Sequence, residues 1–463
     1  MGHLTQLLKA ISKVLDRLLD KMPRIVKNNI IIKISYYIKK YSRTLLKIAM
    51  PRNIYSVIKK SLPHKLVHPN IEQVFSDEWQ KARKQTPYWK TNEFVTKGVN
   101  IVGYMQAATG LGEVARSNVL ALNAANIPLS VVDYEVEVPV SQQIEKPNFC
   151  KRFPDFVFDT NIFHINPQQL PHLWDYFDKS HLVGRYNIGV WYWELPEFPD
   201  KWSYSFGLVD EIWVATSFIF DSIVTKSPVP VLKIPPCIQI TYDPRLRRSD
   251  FNLPENAFLF LCAYDVLSVQ DRKNPQAAIE SFKKIFDPDN QSVGLVIKIN
   301  NAKLYPDEVQ RLKDGLAGYT NCYFLEEIYQ RQKFNSLVNL TNVYISLHRS
   351  EGFGLIPAES MYLGKPVIMT NWSGNVDFMT GENSCGVNYK LIPVVSNAET
   401  YSPDQLWADP DIDQAAYFMK KLYCDPGYYS TISTNAQDYI REKYSADVIG
   451  KMIRDRLTQI KLI

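Results

Sequence analysis

The segment from Val343 to Glu359 reads VYISLHRSEGFGLIPAE and decides the fold of the second half of the chain. Residues 343–347 form a short apolar run that is typical of a buried strand, and residues 357–363 are predicted to form a short helix. Gly352 and Gly354 lie between them, where the backbone must turn and can come close to a ligand. The segment therefore predicts a strand, a ligand-facing loop and a helix.

Strands and helices alternate on both sides of this segment. Alternation of this kind predicts a parallel sheet with right-handed crossovers, in which ligands bind beyond the carboxyl ends of the strands. The predicted strands are residues 257–262, 294–299, 322–325, 343–347 and 366–369, and the predicted helices are residues 275–286, 307–316, 332–340 and 357–363.

The first half of the chain repeats the pattern less clearly. Residues 99–104, 129–134 and 211–216 are predicted strands, and residues 113–125 form a predicted helix with Leu111, Ala115, Val119 and Leu122 on one face. The aromatic stretch 186–202 has no clear period. We expect an α/β fold with two Rossmann-type domains, residues 96–245 and 246–430, and C-terminal helices, residues 431–463, that pack back on the first domain.

Residues 1–95 are predicted to form a basic helical extension. Residues 1–65 contain fifteen Lys and Arg against Asp16 and Asp20, a charge of +13, so the remainder carries −8 of the net +5. Apolar side chains from Leu4 to Met22 recur every three or four residues, which is typical of an amphipathic helix. This pattern predicts in-plane binding to an anionic membrane surface, although a packing arm for self-association of the chain fits the same stripe.

Composition places the remaining chain among ordinary globular proteins. Hydrophobic residues make up 46% of the 463 residues, no apolar run reaches a bilayer-spanning length, and no secretory signal is evident. The six cysteines are scattered, which favours a reducing compartment over a zinc cluster. We therefore expect a cytoplasmic protein, peripheral at the inner face of the cell membrane, that does not bind nucleic acid.

The loop after residue 347 is predicted to bind an anion bearing hydroxyl groups. Free amide N–H groups at the start of the helix can hold a phosphate. Glu351 and Glu359, eight positions apart, can each accept hydrogen bonds from separate sugar hydroxyls. A tight turn with a first-turn Glu would explain Glu359 alone, since a helix dipole favours an acid there.

These residues resemble the donor site of the retaining, GT-B-fold glycosyltransferases of family 4. The resemblance rests on Glu, seven residues and Glu, on Glu-Gly-Phe-Gly at 351–354, on Gly-Lys-Pro-Val at 364–367 and on Ser-Gly-Asn at 373–375, and it covers the chain from about Ile101 onward. It implies that Glu351 contacts the donor sugar and that Glu359 holds the ribose hydroxyls. The residues implied to line the sugar and diphosphate are Gly352, Phe353, Gly354 and Leu355.

Two cations are expected beside the leaving diphosphate. Lys273, in Asp-Arg-Lys-Asn-Pro at 271–275, falls where the family has its phosphate-binding Lys. The family's Arg, which usually follows the preceding strand, is replaced by Ala263-Tyr264-Asp265, so Arg272 is the predicted substitute. A preorganised cation here would stabilise the charge that develops as the glycosidic bond breaks. The alternative is a solvated helix start.

A second glycine loop follows the strand 99–104. Gly110 and Gly112 belong to Gly-x-Gly-x-x-Ala, with Asp133 about twenty residues later, which alone would predict dinucleotide binding. In that fingerprint the first glycine lies directly at the strand end, whereas here residues 106–109 intervene. The resemblance implies a loop that closes over the donor phosphates, and a purely structural turn is the third interpretation.

Four residues of the first half are further candidates. His164 resembles the family's active-site His, which touches the donor sugar, although a lone His is more often a satisfied polar residue. Trp191, Trp193 and Glu194 are predicted to contact acceptor sugar rings, although such aromatic residues are more often core.

The predicted reaction is transfer of a hexose from a nucleoside diphosphate sugar to a glycan or lipid-linked acceptor, with retention, in cell-surface polysaccharide assembly. We expect no cofactor and no metal: Asp287-Pro-Asp289 and Asp411-Ile-Asp413 are interpreted as surface turns. The alternatives are a sugar-nucleotide epimerase of the same fold and an NAD-dependent enzyme that uses the Gly110/Gly112 loop.

Overall fold

The computed structural model describes residues 71–88, 96–134, 156–395 and 400–463. The chain divides into two compact units, Met1–Glu78 and Trp79–Ile463. A helix, α1, spans Ile71–Gln85. Most of the predicted extension, including the amphipathic stripe from Leu4 to Met22, lies outside the described residues. The second unit contains the sheets and the candidate site residues.

The first domain is built on a parallel sheet. Within the described residues it has six strands in the order β2-β1-β3-β4-β5-β6, so the strand order reverses between β1 and β3. Most side chains of β1 to β5 are buried because helices cover both faces of such a sheet. The strands are β1 Val99–Gly103, β2 Leu129–Asp133, β3 Thr160–His164, β4 Tyr186–Trp191, β5 Glu211–Val214 and β6 Val231–Lys233.

The second domain repeats this architecture with a different strand order. Its six described strands run β12-β11-β10-β7-β8-β9, all parallel, and the order reverses between β7 and β10. The strands are β7 Phe258–Asp265, β8 Val293–Asn300, β9 Cys322–Leu325, β10 Val343–Ser346, β11 Val367–Thr370 and β12 Cys385–Val387. An antiparallel pair, β13 Tyr389–Pro393 and β14 Leu406–Pro410, comes next in the chain.

Helices connect these strands and cover the two sheets. Several begin with a side-chain cap, such as Thr109, whose hydroxyl accepts a hydrogen bond from the Gly112 N–H at 3.2 Å. The helices are α2 Gly110–Ala124, α3 Leu173–Tyr176, α4 Ser217–Val224, α5 Gln270–Lys273, α6 Pro275–Lys283, α7 Pro306–Gly315, α8 Arg331–Leu340, α9 Leu355–Tyr362, α10 Ile412–Cys424, α11 Pro426–Lys443 and α12 Ala446–Gln459.

The last helix, α12, packs on α2 of the first domain. Ile449, Ile453 and Leu457 are fully buried in the first domain's core. Arg456 reaches the carboxylate of Glu211 on β5, and its Nε lies 3.1 Å from both Glu211 oxygens. Glu211 is completely buried, so this cation balances a charge that would otherwise be unpaired in the core.

The predicted α/β fold with two Rossmann-type domains is confirmed. One strand, β4, was hidden in the aromatic stretch 186–202, because Tyr186 and Trp191 mask the short apolar run between them. The helix after the first glycine loop begins at Gly110, three residues before the predicted start, because Thr109 caps it. Across the described residues, no helix is long and apolar enough to cross a bilayer.

Replacing Arg456 with Met should destabilise the folded chain by about 3 kcal/mol, since it leaves the buried Glu211 carboxylate unpaired. Lys451→Met on the same helix is the matched control. Lys451 forms an exposed ion pair with Asp455, so its loss should cost about 0.5 kcal/mol or less. Chemical denaturation measures both, and equal small effects would show that Arg456 does not balance Glu211.

Candidate functional site

The candidate site lies where the strand order of the second sheet reverses. The connections that follow β7 and β10 leave in opposite directions there, and in open α/β sheets ligands bind at such a point, beyond the carboxyl ends of the strands. Lys273 ends α5, which follows β7, and Glu351 follows β10. The structure brings these two predicted residues into direct contact.

The carboxylate of Glu351 is held between two cations. Lys273 Nζ lies 2.5 Å from Oε1, and an Arg272 guanidinium nitrogen lies 3.3 Å from Oε2. Burial opposes ionisation of Glu351, but the charges of Lys273 and Arg272 outweigh it and lower its pKa to about 2. Arg272 is also buried and donates to the carbonyl of Ser350 at 2.9 Å. The cations are thereby fixed beside the loop.

The loop 351–354 delivers the start of helix α9 to the same place. Gly354 adopts φ 93° as the residue before the helix, a conformation that other residues seldom take. The amides of Leu355 and Ile356 precede the first intrahelical hydrogen bond, from Ala358 N–H to the Gly354 carbonyl at 3.1 Å, so they can receive an anion. Pro357 is the third helical residue, whereas the sequence predicted the first.

Phe353 and Gly352 of this loop stabilise the structure through packing and a main-chain hydrogen bond. Phe353 is buried, and its ring packs against those of Phe378 and Tyr444 at 5.3 and 6.0 Å, so its side chain points into the core. Gly352 is buried and its carbonyl oxygen accepts a hydrogen bond from Thr216 Oγ1 at 2.9 Å. A Cβ at Gly374 would overlap that same carbonyl oxygen. Only main-chain atoms of Gly352 and Phe353 therefore remain for ligand binding.

Glu359 lies in the second turn of α9 and is joined to the first domain by charges. Its Oε1 is paired with Arg331, the first residue of α8, whose Nε lies 3.4 Å from Glu113 Oε1 on α2. Burial and Glu113 raise the pKa of Glu359 to about 7 in spite of Arg331. Its second oxygen, Oε2, is buried and makes no hydrogen bond within the described protein. An unpaired buried acceptor of this kind is expected where a ligand donates.

The first glycine loop forms the start of α2. Gly112 is buried, and a Cβ there would lie 2.5 Å from the Ala107 carbonyl oxygen and 2.6 Å from that of Tyr104, so glycine is required for packing. Gly110 is exposed with open space around it. The Asp133 carboxylate accepts a hydrogen bond from the Met105 N–H at 2.8 Å, so it stabilises the backbone of this loop. That arrangement disfavours the dinucleotide interpretation, in which an acid is free to bind ribose.

His164 ends β3, beside the strand-order reversal of the first sheet. Its ring is fully buried, and burial lowers its pKa to about 3, so it is neutral. Nε2 lies 3.2 Å from Asn118 Nδ2. Nδ1 has no partner within the described protein. A neutral ring with one free nitrogen can exchange a hydrogen bond with a sugar hydroxyl.

The structure does not support acceptor stacking on Trp191 and Trp193. Trp191 is fully buried with its ring stacked 6.0 Å from that of Phe198, and Trp193 is 2% exposed and packs against Trp202 at 5.0 Å. Both rings belong to the core. The neighbouring Glu194 does face the site, because its carbonyl accepts from Ser350 Oγ and its Oε2 lies 3.3 Å from Tyr401 OH.

Two site residues were not predicted from the sequence. Arg331 starts a helix, where a cation is locally disfavoured, so no pattern pointed to it. His348 is buried, with Nε2 3.0 Å from Asn375 Oδ1, and it lies close enough to Glu351 to feel its charge. A signal for His348 was present, since it follows the same strand as Glu351.

Part of the chain matches a known family model. Residues 248–390, less than half of the chain, match the family model described as "Glycosyl transferases group 1". The matched segment contains Lys273, Glu351 and Glu359 and supports a group 1 glycosyltransferase. Among curated proteins, no sequence matches this chain.

Solved structures share the fold. Anabaena Alr3699/HepE, in complex with UDP and glucose, is 12% identical with a TM-score of 0.55, over 78% of this chain and 100% of that chain. The sucrose-phosphate synthase from Thermosynechococcus elongatus is 13% identical with a TM-score of 0.57, and the glycosyltransferase from Rickettsia africae ESF-5 is 11% identical with a TM-score of 0.56; each match covers 79% of this chain and 99% of the other. At these identities the likeness shows the GT-B fold alone.

Replacing Glu359 with Gln should make the stability of the unliganded chain less dependent on pH. The raised pKa of Glu359 means that its contribution is fully present below about pH 4.5 and is lost as the pH rises from there through about 7. The stability of Glu359→Gln minus that of the wild type should therefore increase as the pH rises from 5 to 8. Thermal midpoints across that range measure the difference, and a constant difference would show that the pKa of Glu359 is not raised.

Proposed function

We propose that this chain is a retaining glycosyltransferase that moves a hexose from a nucleoside diphosphate sugar to a hydroxyl of a glycan or lipid-linked acceptor. The observation that carries the proposal is the Glu351 carboxylate, 13% exposed, between Lys273 and Arg272 and directly before the amides that start α9. Fixed cations and amides at one point suit a diphosphate leaving group, and the carboxylates suit sugar hydroxyls.

The charges suggest how the donor is placed. Its diphosphate would lie against Lys273, Arg272 and the amides of Leu355 and Ile356, with its ribose at the unpaired oxygen of Glu359. Its sugar would then lie beside Glu351 and face the first domain, where the neutral ring of His164 lies. The UDP and glucose in the structure of Anabaena Alr3699/HepE support a sugar nucleotide as the ligand of this fold.

This placement would allow transfer with retention at the anomeric carbon. The bond from the anomeric carbon to the diphosphate oxygen breaks, and a bond to the acceptor oxygen forms on the same face. The acceptor's proton passes to the leaving phosphate, so no protein nucleophile is needed. Lys273 and Arg272 would stabilise the charge on that phosphate without a metal ion.

Two broader expectations rest on the sequence. The +13 charge of residues 1–65 supports contact with an anionic membrane surface, and from it we infer a role in cell-surface polysaccharide assembly. Co-sedimentation with anionic vesicles tests the contact, and retention in the supernatant would refute it.

A panel of nucleoside diphosphate sugars tests the function. A cognate donor at 100 times its Kd should stabilise the chain by about 2.7 kcal/mol and raise the thermal midpoint. NAD is the control, because the dinucleotide alternative requires it to bind instead. With the cognate donor, release of free nucleoside diphosphate should require an acceptor hydroxyl, whereas an epimerase of this fold would turn over without one.

Lys273→Met removes a cation that would stabilise the leaving diphosphate, and Glu351→Gln removes the carboxylate that would accept from hydroxyls of the donor sugar. Each should lower kcat for transfer by about 10²- to 10³-fold. Lys284→Met is the control, because Lys284 is half-exposed and pairs with Asp413 on the surface. Initial rates with saturating donor measure the effect. Wild-type rates in either site variant would reject the assignment.

A further inference from the structure

Arg331 stands between a carboxylate of each domain. It pairs with Glu359 on α9 of the second domain, and its Nε lies 3.4 Å from Glu113 on α2 of the first. We propose that Arg331 is a positioning residue that couples donor binding at Glu359 to the glycine loop of the first domain. This inference rests on the proposed function, because it takes the ligand at Glu359 to be a sugar nucleotide.

The geometry requires an arginine. A guanidinium is planar and presents five N–H donors in a fixed fork, so one side chain can bind two carboxylates on different sides. A lysine ammonium is a single point charge and cannot span the two positions. Burial alone would lower the pKa of Arg331, but the two carboxylates outweigh it and raise that pKa, so the cation is retained.

Local electrostatics make this position unfavourable without a partner. Arg331 is the first residue of α8, where the helix dipole is positive and disfavours a cation. Gln330, the residue before the helix, makes no side-chain cap. A residue that breaks a local rule in this way is expected to serve a site, and here the compensation comes from Glu359 and Glu113.

The charges continue into the first domain. Glu113 pairs with Arg116 at 2.5 Å, and Arg116 donates to the carbonyls of Met105 and Ala107 at 2.9 and 3.1 Å. Those carbonyls belong to the loop between β1 and α2, which leads directly into Gly110. Four alternating charges, from Glu359 through Arg331 and Glu113 to Arg116, therefore join the donor site to this loop.

The ligand would bind at Glu359, the first of these four charges. Glu359 is 3% exposed, and one of its oxygens is held by Arg331 while Oε2 has no partner within the described protein. A donor hydroxyl that binds Oε2 favours the orientation that Arg331 imposes. Arg331 also forms an ion pair with Glu113 at 3.4 Å, without a hydrogen bond from Nε. Donor binding at Oε2 therefore also favours the position of the loop that Glu113 and Arg116 hold.

A double-mutant cycle tests the coupling. Glu113→Gln should weaken binding of the donor identified by the panel by about tenfold in the wild type, although Glu113 lies on the other domain. In an Arg331→Met background the same substitution should change Kd by less than about twofold, since the link is already broken. Isothermal titration calorimetry measures all four Kd values. Additive effects, or no effect of Glu113→Gln alone, would overturn the proposal.

The controls distinguish loss of coupling from loss of fold or of donor binding. Lys313→Met removes an exposed ion pair with Glu326 and should leave Kd unchanged. If Arg331→Met does not fold, judged by its thermal midpoint, Arg331→Lys takes its place, because it keeps the charge and loses the fork. If the wild type binds no sugar nucleotide, the proposed function fails; if it binds and the cycle is additive, only the coupling fails.

Discussion

The Glu351 carboxylate, held by Lys273 and Arg272, is the interaction on which the site depends. Charges that are largely withdrawn from water are stabilised by pairing, so the ends of β7 and β10 must approach until the three side chains meet. The two strands are neighbours at the point where the sheet order reverses, and their connections leave in opposite directions. The reversal of strand order between β7 and β10 thus brings these three charges together at the carboxyl ends of the strands.

The loop after β10 and the more distant residue Asp377 also contact the first domain. Gly352 offers its carbonyl to Thr216, Ser350 donates to the carbonyl of Glu194, and Asp377 accepts from Lys233 at 3.0 Å. Most of these contacts use the main chain on one side, so they depend on position more than on side-chain identity. Residues of the candidate site are consequently held by groups that belong to both domains.

Sequence alone predicted the fold class and the charged centre of the site. Regular alternation identified β7, β8 and β10 because buried parallel strands form short apolar runs, and Lys273 and Glu351 follow such runs closely. Trp191 was misjudged because an aromatic residue looks the same whether it lines a cleft or fills a core. Arg331 could not be predicted, because its role depends on contacts with Glu359 and Glu113. These residues are distant from it in sequence and adjacent only after folding.

The pairing of Glu211 with Arg456 has a consequence for biosynthesis. Ribosomes extend a chain from its amino end, and Arg456 follows Glu211 by 245 positions. Until that arginine emerges, the Glu211 side chain on β5 lacks its partner cation, and the first domain's core lacks α12. The first domain, although it begins earlier, can therefore complete these contacts only after the second has been translated in full.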